Sequence, residues 1–283
     1  MTIVVTVKVT DGIVLAADSA TSFTDPAGHV AKVYNSANKI FNLVKVWPIG
    51  AMTYGAGSIG AESISTLSKI FRDRLTPRKS RAKPDPIVLN KNSYTIEDVA
   101  KKARGFFEER YKAAYPQPVP GYFLGYRVCG YSKPAKLPEA WEIKILENAS
   151  EGPVRIYEDG LFGPRWAGES EALDRLILGF GSKMKEALVE LGAPPDIADQ
   201  TLRQLVNHLY ANLFLPAMPI QDAIDLAHFL VETAVKFSHF SLRPATVGGP
   251  IEVATITQHE GFKWVKRKHY YSKEFNVEDG DAP

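Results

Sequence analysis

Cysteine is almost missing from this chain of 283 residues, which contains only Cys129. A single cysteine excludes a disulfide bond within the chain and any metal site built from several thiolates. Cys129 lies in an apolar segment with the pattern of a strand, so we expect it to be a small buried residue.

The chain also has no large excess of positive or negative charge. The chain has 34 Lys and Arg against 32 Asp and Glu, a formal charge of +2, which does not indicate nucleic acid or a membrane as the main partner. No apolar run is long enough to span a membrane, and the N-terminus lacks a charged segment followed by a continuous apolar block. We therefore expect a cytoplasmic protein.

The six histidines show no spacing typical of metal ligands. We expect no catalytic metal and no cofactor, and only a structural cation stays open. Hydrophobic residues make up 45% of the chain, which is enough for a packed core.

The first residues have the pattern of a β-hairpin. Thr and Val alternate over residues 2–9, a Thr-Asp-Gly turn follows, and residues 13–18 are almost wholly apolar, as in a strand buried on both faces. Asp18 ends this run, where a carboxylate is costly unless a cation pairs with it. Further strands are predicted within residues 39–54 and near 121–130, 139–147, 153–158, 163–167, 251–257 and 261–267.

Helices are predicted where apolar residues recur at three- and four-residue steps. The first runs from Gly60 to Leu75, and the second begins at Thr95, whose pairing with Asp98 resembles a helix cap, and continues to about Ala114. The predicted helices of the second half span residues 170–191, 195–215 and 219–239.

Thr2 directly follows Met1. Removal of Met1 alone would leave an N-terminal threonine, and threonine is small enough for methionine aminopeptidase to act before it. Such a residue combines a nucleophile with a base, because its hydroxyl can attack a carbonyl while the α-amino group, with a reference pKa of about 8, accepts the proton. The alternative is an ordinary residue at a trimmed N-terminus.

Three motifs in the first sixty residues resemble the β-subunits of the 20S proteasome family, which includes the bacterial HslV and Anbu groups. They are Asp-Gly-Ile-Val-Leu-Ala-Ala-Asp-Ser-Ala-Thr at 11–21, Asn-Lys-Ile-Phe at 38–41 and Ala-Gly-Ser-Ile-Gly at 56–60. Their order is that of the family and their spacing nearly so. More loosely, residues 122–130 resemble the family's central strand, Gly-Glu-Ser at 168–170 its helix-opening turn, and residues 248–254 the glycine turn before the last strands.

This resemblance implies an α+β fold with helices on both faces of two stacked sheets, the four-layer αββα sandwich of the N-terminal nucleophile hydrolases. It implies one domain over residues 1–283, with a Pro-rich basic insertion loop at about 76–94 and a C-terminal tail at about 268–283. Because a standard family subunit has two helices in the second half, the segment at about 195–215 is interpreted as an extra helix.

The resemblance also implies a catalytic set of Thr2, Asp18, Lys39 and Gly57. Lys39 matches the family lysine whose positive charge favours the deprotonated hydroxyl of the nucleophile, although a lone lysine in a strand is usually a surface residue. Asp18 would bind Lys39 and hold it in position. Gly57 matches the position whose backbone N–H faces the oxyanion.

Substrate binding is assigned by the same resemblance. Either Thr21 or Ser22 would pair its main chain with the bound peptide. The pocket for the side chain before the scissile bond would be lined by matched residues, with apolar walls and no carboxylate, so we expect cleavage after bulky apolar or aromatic residues. This predicted lining consists of Ala20 or Thr21, Ala37, Phe41, Gly55, Ile59 and Ser63.

The sequence departs from the family in the accessory residues that tune the proton acceptor. Glu169 stands where the family has a serine, although Ser170 is adjacent, and no clean match exists for the Asp and Ser that precede the final strands. Candidate substitutes are Glu169, Ser238, His239 and Ser241. A helix-capping histidine is the alternative for His239.

The function favoured by the resemblance is a threonine endopeptidase in a self-compartmentalising homo-oligomeric ring, acting on peptides or unfolded proteins, with an ATP-dependent unfoldase as a candidate partner. One alternative is a ring subunit of weak or lost activity that serves as a scaffold, which the missing accessory residues favour. The other is an N-terminal nucleophile amidase acting on a small molecule, which needs no ring.

Overall fold

A computed structural model describes residues 2–24, 30–77, 85–242 and 244–268 of the chain. Met1, the middle of the predicted insertion loop (78–84) and all of the predicted tail after Lys268 lie outside the described residues. The described part is a mixed α/β structure whose paired strands are all antiparallel.

The first of two five-stranded sheets has β1 next to its centre, in the order β12-β1-β2-β13-β14. Strand β1 pairs with β2 so that Val4 lies opposite Ala17, and with β12 so that Ile3 lies opposite Gly168. The N-terminal hairpin predicted from the alternating pattern is confirmed. The strands of this first sheet are β1 (Ile3–Val9), β2 (Gly12–Ala17), β12 (Gly163–Gly168), β13 (Glu252–Thr257) and β14 (Gly261–Lys266).

The second sheet has the order β11-β10-β9-β6-β5. Its strands are β5 (Ile40–Asn42), β6 (Ile49–Gly55), β9 (Phe123–Gly130), β10 (Glu139–Leu146) and β11 (Ser150–Arg155). Two small hairpins, formed by β3 (Thr21–Thr24) with β4 (Val30–Tyr34) and by β7 (Ser58–Ile59) with β8 (Glu62–Ser63), complete the strands.

Two helices stand between the strands of the second sheet in sequence, and the others follow β12. Each of the first two begins with a hydroxyl cap: Ser63 accepts from Thr66 N–H, and Thr95 accepts from Asp98 N–H. The helices are α1 (Ile64–Leu75), α2 (Ile96–Ala114), α3 (Glu171–Leu173) with a π-helical turn (Asp174–Leu178), α4 (Met184–Glu190), α5 (Pro195–Leu209) and α6 (Ile220–Phe240).

Side-chain alternation divides the core into three hydrophobic clusters. Along β1, Val5 and Val7 pack with α3 and α6, whereas Val4 packs with residues of the second sheet. Along β9, Tyr126 packs with α1 and α2, whereas Cys129 belongs to the cluster that holds residues of both sheets. The strands of both sheets therefore bury side chains on two faces.

The helical prediction for residues 170–191 is wrong. The chain leaves the π-helical turn at Gly179, which has a φ of 85°, a left-handed conformation that ends helices and favours glycine. Helix resumes only at Met184. The helix found within the predicted segment 195–215 ends at Leu209, and among its described side chains only Ala198 is buried. No described helix is both long and apolar enough to cross a membrane.

Cys129 has a fully buried thiol, and burial raises its pKa to about 12. Because the thiolate is the reactive form, we expect no reaction with Ellman's reagent near neutral pH in the native protein and release of one thiol per chain after denaturation. Stoichiometric reaction of the native protein would contradict the described packing of β9.

Candidate active site

Thr2 lies immediately before β1 and is 5% exposed. Its carbonyl oxygen accepts a hydrogen bond of 2.7 Å from the N–H of Glu169. The residue before Glu169 must be small, because a Cβ at Gly168, whose φ is 100°, would overlap the same carbonyl oxygen. The end of β12 therefore holds the backbone of Thr2 in place.

Asp18 follows β2 and has no exposed surface. Its Oδ1 accepts from the N–H of Ile3 at 3.0 Å and from Lys39 Nζ at 2.6 Å, and its Oδ2 accepts from the N–H groups of Ala20 at 3.1 Å and Gly248 at 3.0 Å. Hydrogen bonds to a charged group are stronger than neutral ones. These four donors compensate the burial of the carboxylate and fix its orientation.

Lys39 stands just before β5 and is 4% exposed. Burial lowers its pKa from the ordinary value of 10.5, and the attraction of Asp18 opposes this shift. The positive charge of Lys268 lowers the pKa further. The Lys39 ammonium is thus held by one carboxylate in a setting that favours loss of its proton at a lower pH than in water.

A second buried ion pair adjoins the first. Lys268 Nζ lies 2.9 Å from Glu252 Oε2, with side-chain exposures of 6% and 2%. It also donates to the carbonyl of Ala37 at 2.6 Å and to Ser19 Oγ at 3.1 Å. One cation therefore connects the residue after Asp18, a residue two before Lys39 and the strand β13.

Thr2 and Lys39 line one cavity of about 740 Å³. Gly57 is exposed in its wall, and a Cβ there would come within 2.9 Å of Thr21 Oγ1. Glycine at position 57 thus leaves room between the backbone and the hydroxyl of Thr21. Of the other residues predicted to bind substrate, the cavity wall contains Thr21, Ala37, Gly55 and Ser63.

Phe41 and Ile59, the predicted apolar walls, are not among the wall residues of this cavity. Both are buried in the cluster between the second sheet and helices α1 and α2, and Phe41 also borders a smaller neighbouring cavity. Ser22, the alternative to Thr21, is not part of the wall, and Ala20 is buried outside it. The apolar part of the wall instead comes from side chains that the sequence did not indicate, Phe23, Tyr34, Tyr54, Ala56 and Ile64.

The candidate accessory residues lie in two separate parts of the structure, after β12 and at the end of α6. Glu169 contacts Thr2 through its backbone N–H. Ser170 Oγ donates to Asp174 Oδ2 at 2.6 Å, within the helical turn that it begins.

The candidates at the end of α6 lie apart from this cavity. Ser238 is buried on α6, and Ser241 Oγ donates to its carbonyl oxygen at 2.9 Å. His239 is exposed beside Phe240, with the two rings 4.9 Å apart. The structure does not bring these three residues into the wall of the cavity that holds Thr2.

Sequence reasoning missed the backbone donors to Asp18 and the pair of Lys268 and Glu252. Main-chain groups carry no residue-type signal, although the glycine turn that contains Gly248 was recognised as a motif. A usable signal for Glu252 existed, because it is a carboxylate in the apolar run of β13, as Asp18 is after β2. Among the described residues, no group of three His, Cys, Asp or Glu side chains could hold a metal ion.

The fold is similar to that of solved Anbu structures. It is similar to Anbu, the ancestral β-subunit, from Yersinia bercovieri, with a TM-score of 0.53, 13% identity and coverage of 95% of this chain and 89% of that one. Anbu from Hyphomicrobium sp. strain MC1 matches with a TM-score of 0.54, 12% identity and coverage of 96% and 88%.

The Anbu complex from Pseudomonas aeruginosa, described as a helical assembly, matches with a TM-score of 0.50, 13% identity and coverage of 95% and 88%. No protein-family model and no curated protein sequence matches the chain. Identities this low establish similarity of fold alone.

The second ion pair can be tested by a double-mutant cycle. Lys268→Met leaves the Glu252 carboxylate buried without its cation, and breaking such a pair costs about 3–5 kcal/mol of unfolding free energy. The double variant with Glu252→Gln removes both charges, so we expect it to recover most of that loss. Urea unfolding measures the free energy of unfolding of both variants. The control is Lys112→Met, since the Lys112 side chain is 71% exposed in its pair with Glu108. A Lys268→Met variant as stable as the control would contradict this account.

Proposed function

We propose that the chain is a threonine-type endopeptidase of the N-terminal nucleophile hydrolase class, built as a four-layer αββα sandwich. The arrangement of Thr2, Lys39 and Gly57 around one cavity, with Asp18 directly bonded to Lys39, carries the proposal. The three core clusters support the layer order, because helices contact the outer face of each sheet and side chains of the two sheets meet between them.

In this mechanism the residue before Thr2 is first removed, which frees the α-amino group. The Thr2 hydroxyl oxygen attacks the peptide carbonyl carbon while its proton passes to the α-amino group. The Lys39 cation stabilises the deprotonated oxygen, and the N–H of Gly57 faces the oxyanion of the tetrahedral intermediate. Collapse of this intermediate breaks the C–N bond, and the leaving amine takes the proton from the α-amino group.

The resulting ester of Thr2 is then hydrolysed. Water attacks the ester carbonyl with the α-amino group as the proton acceptor, and the proton returns to the Thr2 oxygen as the C–O bond breaks. Water is the only molecule consumed besides the peptide. Both steps of the mechanism therefore require a free α-amino group on Thr2.

The composition of the cavity wall supports cleavage after apolar or aromatic residues. Tyr54, Phe23 and Tyr34 supply aromatic surface, and none of the wall residues that the structure describes is Asp or Glu. A buried Lys or Arg side chain of the substrate would meet the cation of Lys39, and the described part of the wall offers no carboxylate to pair with it. This preference rests on other residues than the Phe41 and Ile59 expected from the sequence.

A catalytically weak scaffold subunit is the second candidate. The observation that favours it is the side chain of Ser170, which is bonded to Asp174 and not to Thr2. Both candidates involve self-assembly, which the exposed apolar residues at and just after the end of α6 support, since Phe240 is 81% exposed and Leu242 is fully exposed. We propose a homo-oligomer in both cases, and an unfoldase partner only for the peptidase.

Covalent labelling tests the nucleophile. A peptide epoxyketone bonds to both the hydroxyl and the α-amino group of an N-terminal threonine, so we expect a single adduct on Thr2 in mass spectrometry and none in Thr2→Ala. Lys39→Met should lower the labelling rate about 100-fold or more because the charge beside the nucleophile is lost, whereas Lys112→Met should leave it unchanged. An adduct that survives in Thr2→Ala, or a native Thr2 whose amino group stays blocked, would exclude the mechanism.

The lowered pKa of Lys39 predicts the alkaline side of the pH profile. As pH rises, Lys39 loses its proton below the ordinary value of 10.5, and the loss of positive charge should reduce kcat/KM. Because an arginine stays protonated throughout this range, Lys39→Arg should move the alkaline fall to higher pH, even if its maximum rate is lower. An unchanged alkaline fall in a folded Lys39→Arg variant would assign it to another group.

A further inference from the structure

A second cavity, of about 350 Å³, lies beside the cavity that contains Thr2. Asn38, Ser65 and Lys69 belong to the walls of both. The two spaces are therefore adjacent along helix α1. We refer to it below as the basic cavity.

Four cationic side chains line the basic cavity, Lys45, Lys69, Arg72 and Arg267. Within the described part of the chain, none of them forms an ion pair. The carboxylate in the wall, Glu252, is already paired with Lys268 at 2.9 Å. The cavity thus has an excess of positive charge that the described residues do not neutralise.

These cations come from three separate segments. Lys69 and Arg72 lie on α1, three residues apart and so on one face of the helix. Lys45 follows β5, and Arg267 follows β14, where its guanidinium stacks over the ring of Trp264 at 5.1 Å. Arg72 in the last turn of α1 also interacts favourably with the helix dipole, but this does not account for Lys45 or Arg267.

The rest of the wall contains neutral hydrogen-bonding groups beside the apolar side chains of Ile40, Phe41 and Trp264. Asn42, Ser65 and Ser68 are part of it. The Ser65 oxygen accepts from Asn38 Nδ2 at 3.3 Å and the Ser68 oxygen accepts from Tyr126 at 3.3 Å, so each hydroxyl keeps its own proton for another acceptor. The buried Oδ1 of Asn42 has no hydrogen-bond partner among the described residues, but as an acceptor it does not itself bind an anion. Cations and hydroxyl donors around one concavity are the groups that bind an oxyanion.

We infer that the basic cavity binds a carboxylate side chain of the peptide substrate, at a position away from the scissile bond. The inference rests on the proposed function, because continuity with the cavity of Thr2 is what favours a carboxylate on a peptide over a free anion. It assigns a substrate class, peptides that combine an apolar residue at the cleavage site with Asp or Glu nearby.

Binding without cleavage tests this inference. In full-length protein carrying Thr2→Ala, fluorescence anisotropy measures the affinity of labelled decapeptides in which one Glu is moved through a Leu- and Gln-containing sequence, against the all-Gln peptide. Because hydrogen bonds to a charged group are stronger than neutral ones, we expect Glu at one or two positions to tighten binding about tenfold, which corresponds to about 1.4 kcal/mol. Arg72→Gln should reduce that gain to about twofold and leave the all-Gln peptide unaffected.

Lys45→Gln provides a second variant at an exposed side chain, in case Arg72→Gln does not fold, and Lys112→Gln is the control that should change nothing. Equal binding of Glu and Gln peptides, or an equal effect of Arg72→Gln on both, overturns the inference. Inorganic phosphate at matched ionic strength separates the sources: phosphate binding that depends on Arg72 without any Glu preference would show a free-anion site and also overturn it. A Glu preference that persists when epoxyketone labelling of Thr2 fails would support the carboxylate site and reject only the peptidase.

Discussion

The buried carboxylate of Asp18 is the interaction on which the rest of the candidate site depends. Its two oxygens accept from Lys39 and from the N–H groups of Ile3, Ala20 and Gly248. A charge without exposed surface is tolerated only when its hydrogen-bonding capacity is filled. Asp18 therefore holds together the start of β1, the segment after β2, the glycine turn and the approach to β5.

This arrangement fixes the positions of the charged side chains of the site before a substrate binds. Burial lowers the pKa of Lys39, and the negative charge of Asp18 opposes this shift. The pair of Lys268 and Glu252 repeats the pattern beside it and binds Ala37, a residue of the cavity wall. Two neighbouring buried ion pairs thus hold the side chain of Lys39 beside the cavity. A lysine without such partners would move, and its charge would have no fixed position.

Charge is distributed unevenly around the two adjacent cavities. The wall of the larger one combines aromatic and small apolar residues with several hydroxyl groups and with Lys39 and Lys69, whereas the wall of the smaller one contains four cations without described ion-pair partners. One surface of α1 connects them, since Ser65 and Lys69 face both. The geometry suits an extended ligand with an apolar group at one point and an anionic group at another.

Much of the fold could be predicted because its elements have strong local patterns. The capped helix predicted at 95–114 is observed as Ile96–Ala114, and the strands predicted near 139–147 and 261–267 are observed as Glu139–Leu146 and Gly261–Lys266. The helix predicted at 170–191 failed because Gly179 breaks an apolar pattern that continues through it. Hydrophobic periodicity depends on the polarity of side chains, so it does not show that one residue within the pattern has a positive φ.

The sequence by itself determined the candidate set of Thr2, Asp18, Lys39 and Gly57, because a carboxylate after an apolar strand and the order of three motifs are visible without coordinates. Only the tertiary structure decided which side chains surround them. Phe41 and Ile59 turn into the core, and Lys268 reaches Ala37 and Ser19 across more than two hundred residues of sequence. The physical reason is that the face a short strand presents, and the partner a distant charge finds, depend on how the sheets pack and not on local composition.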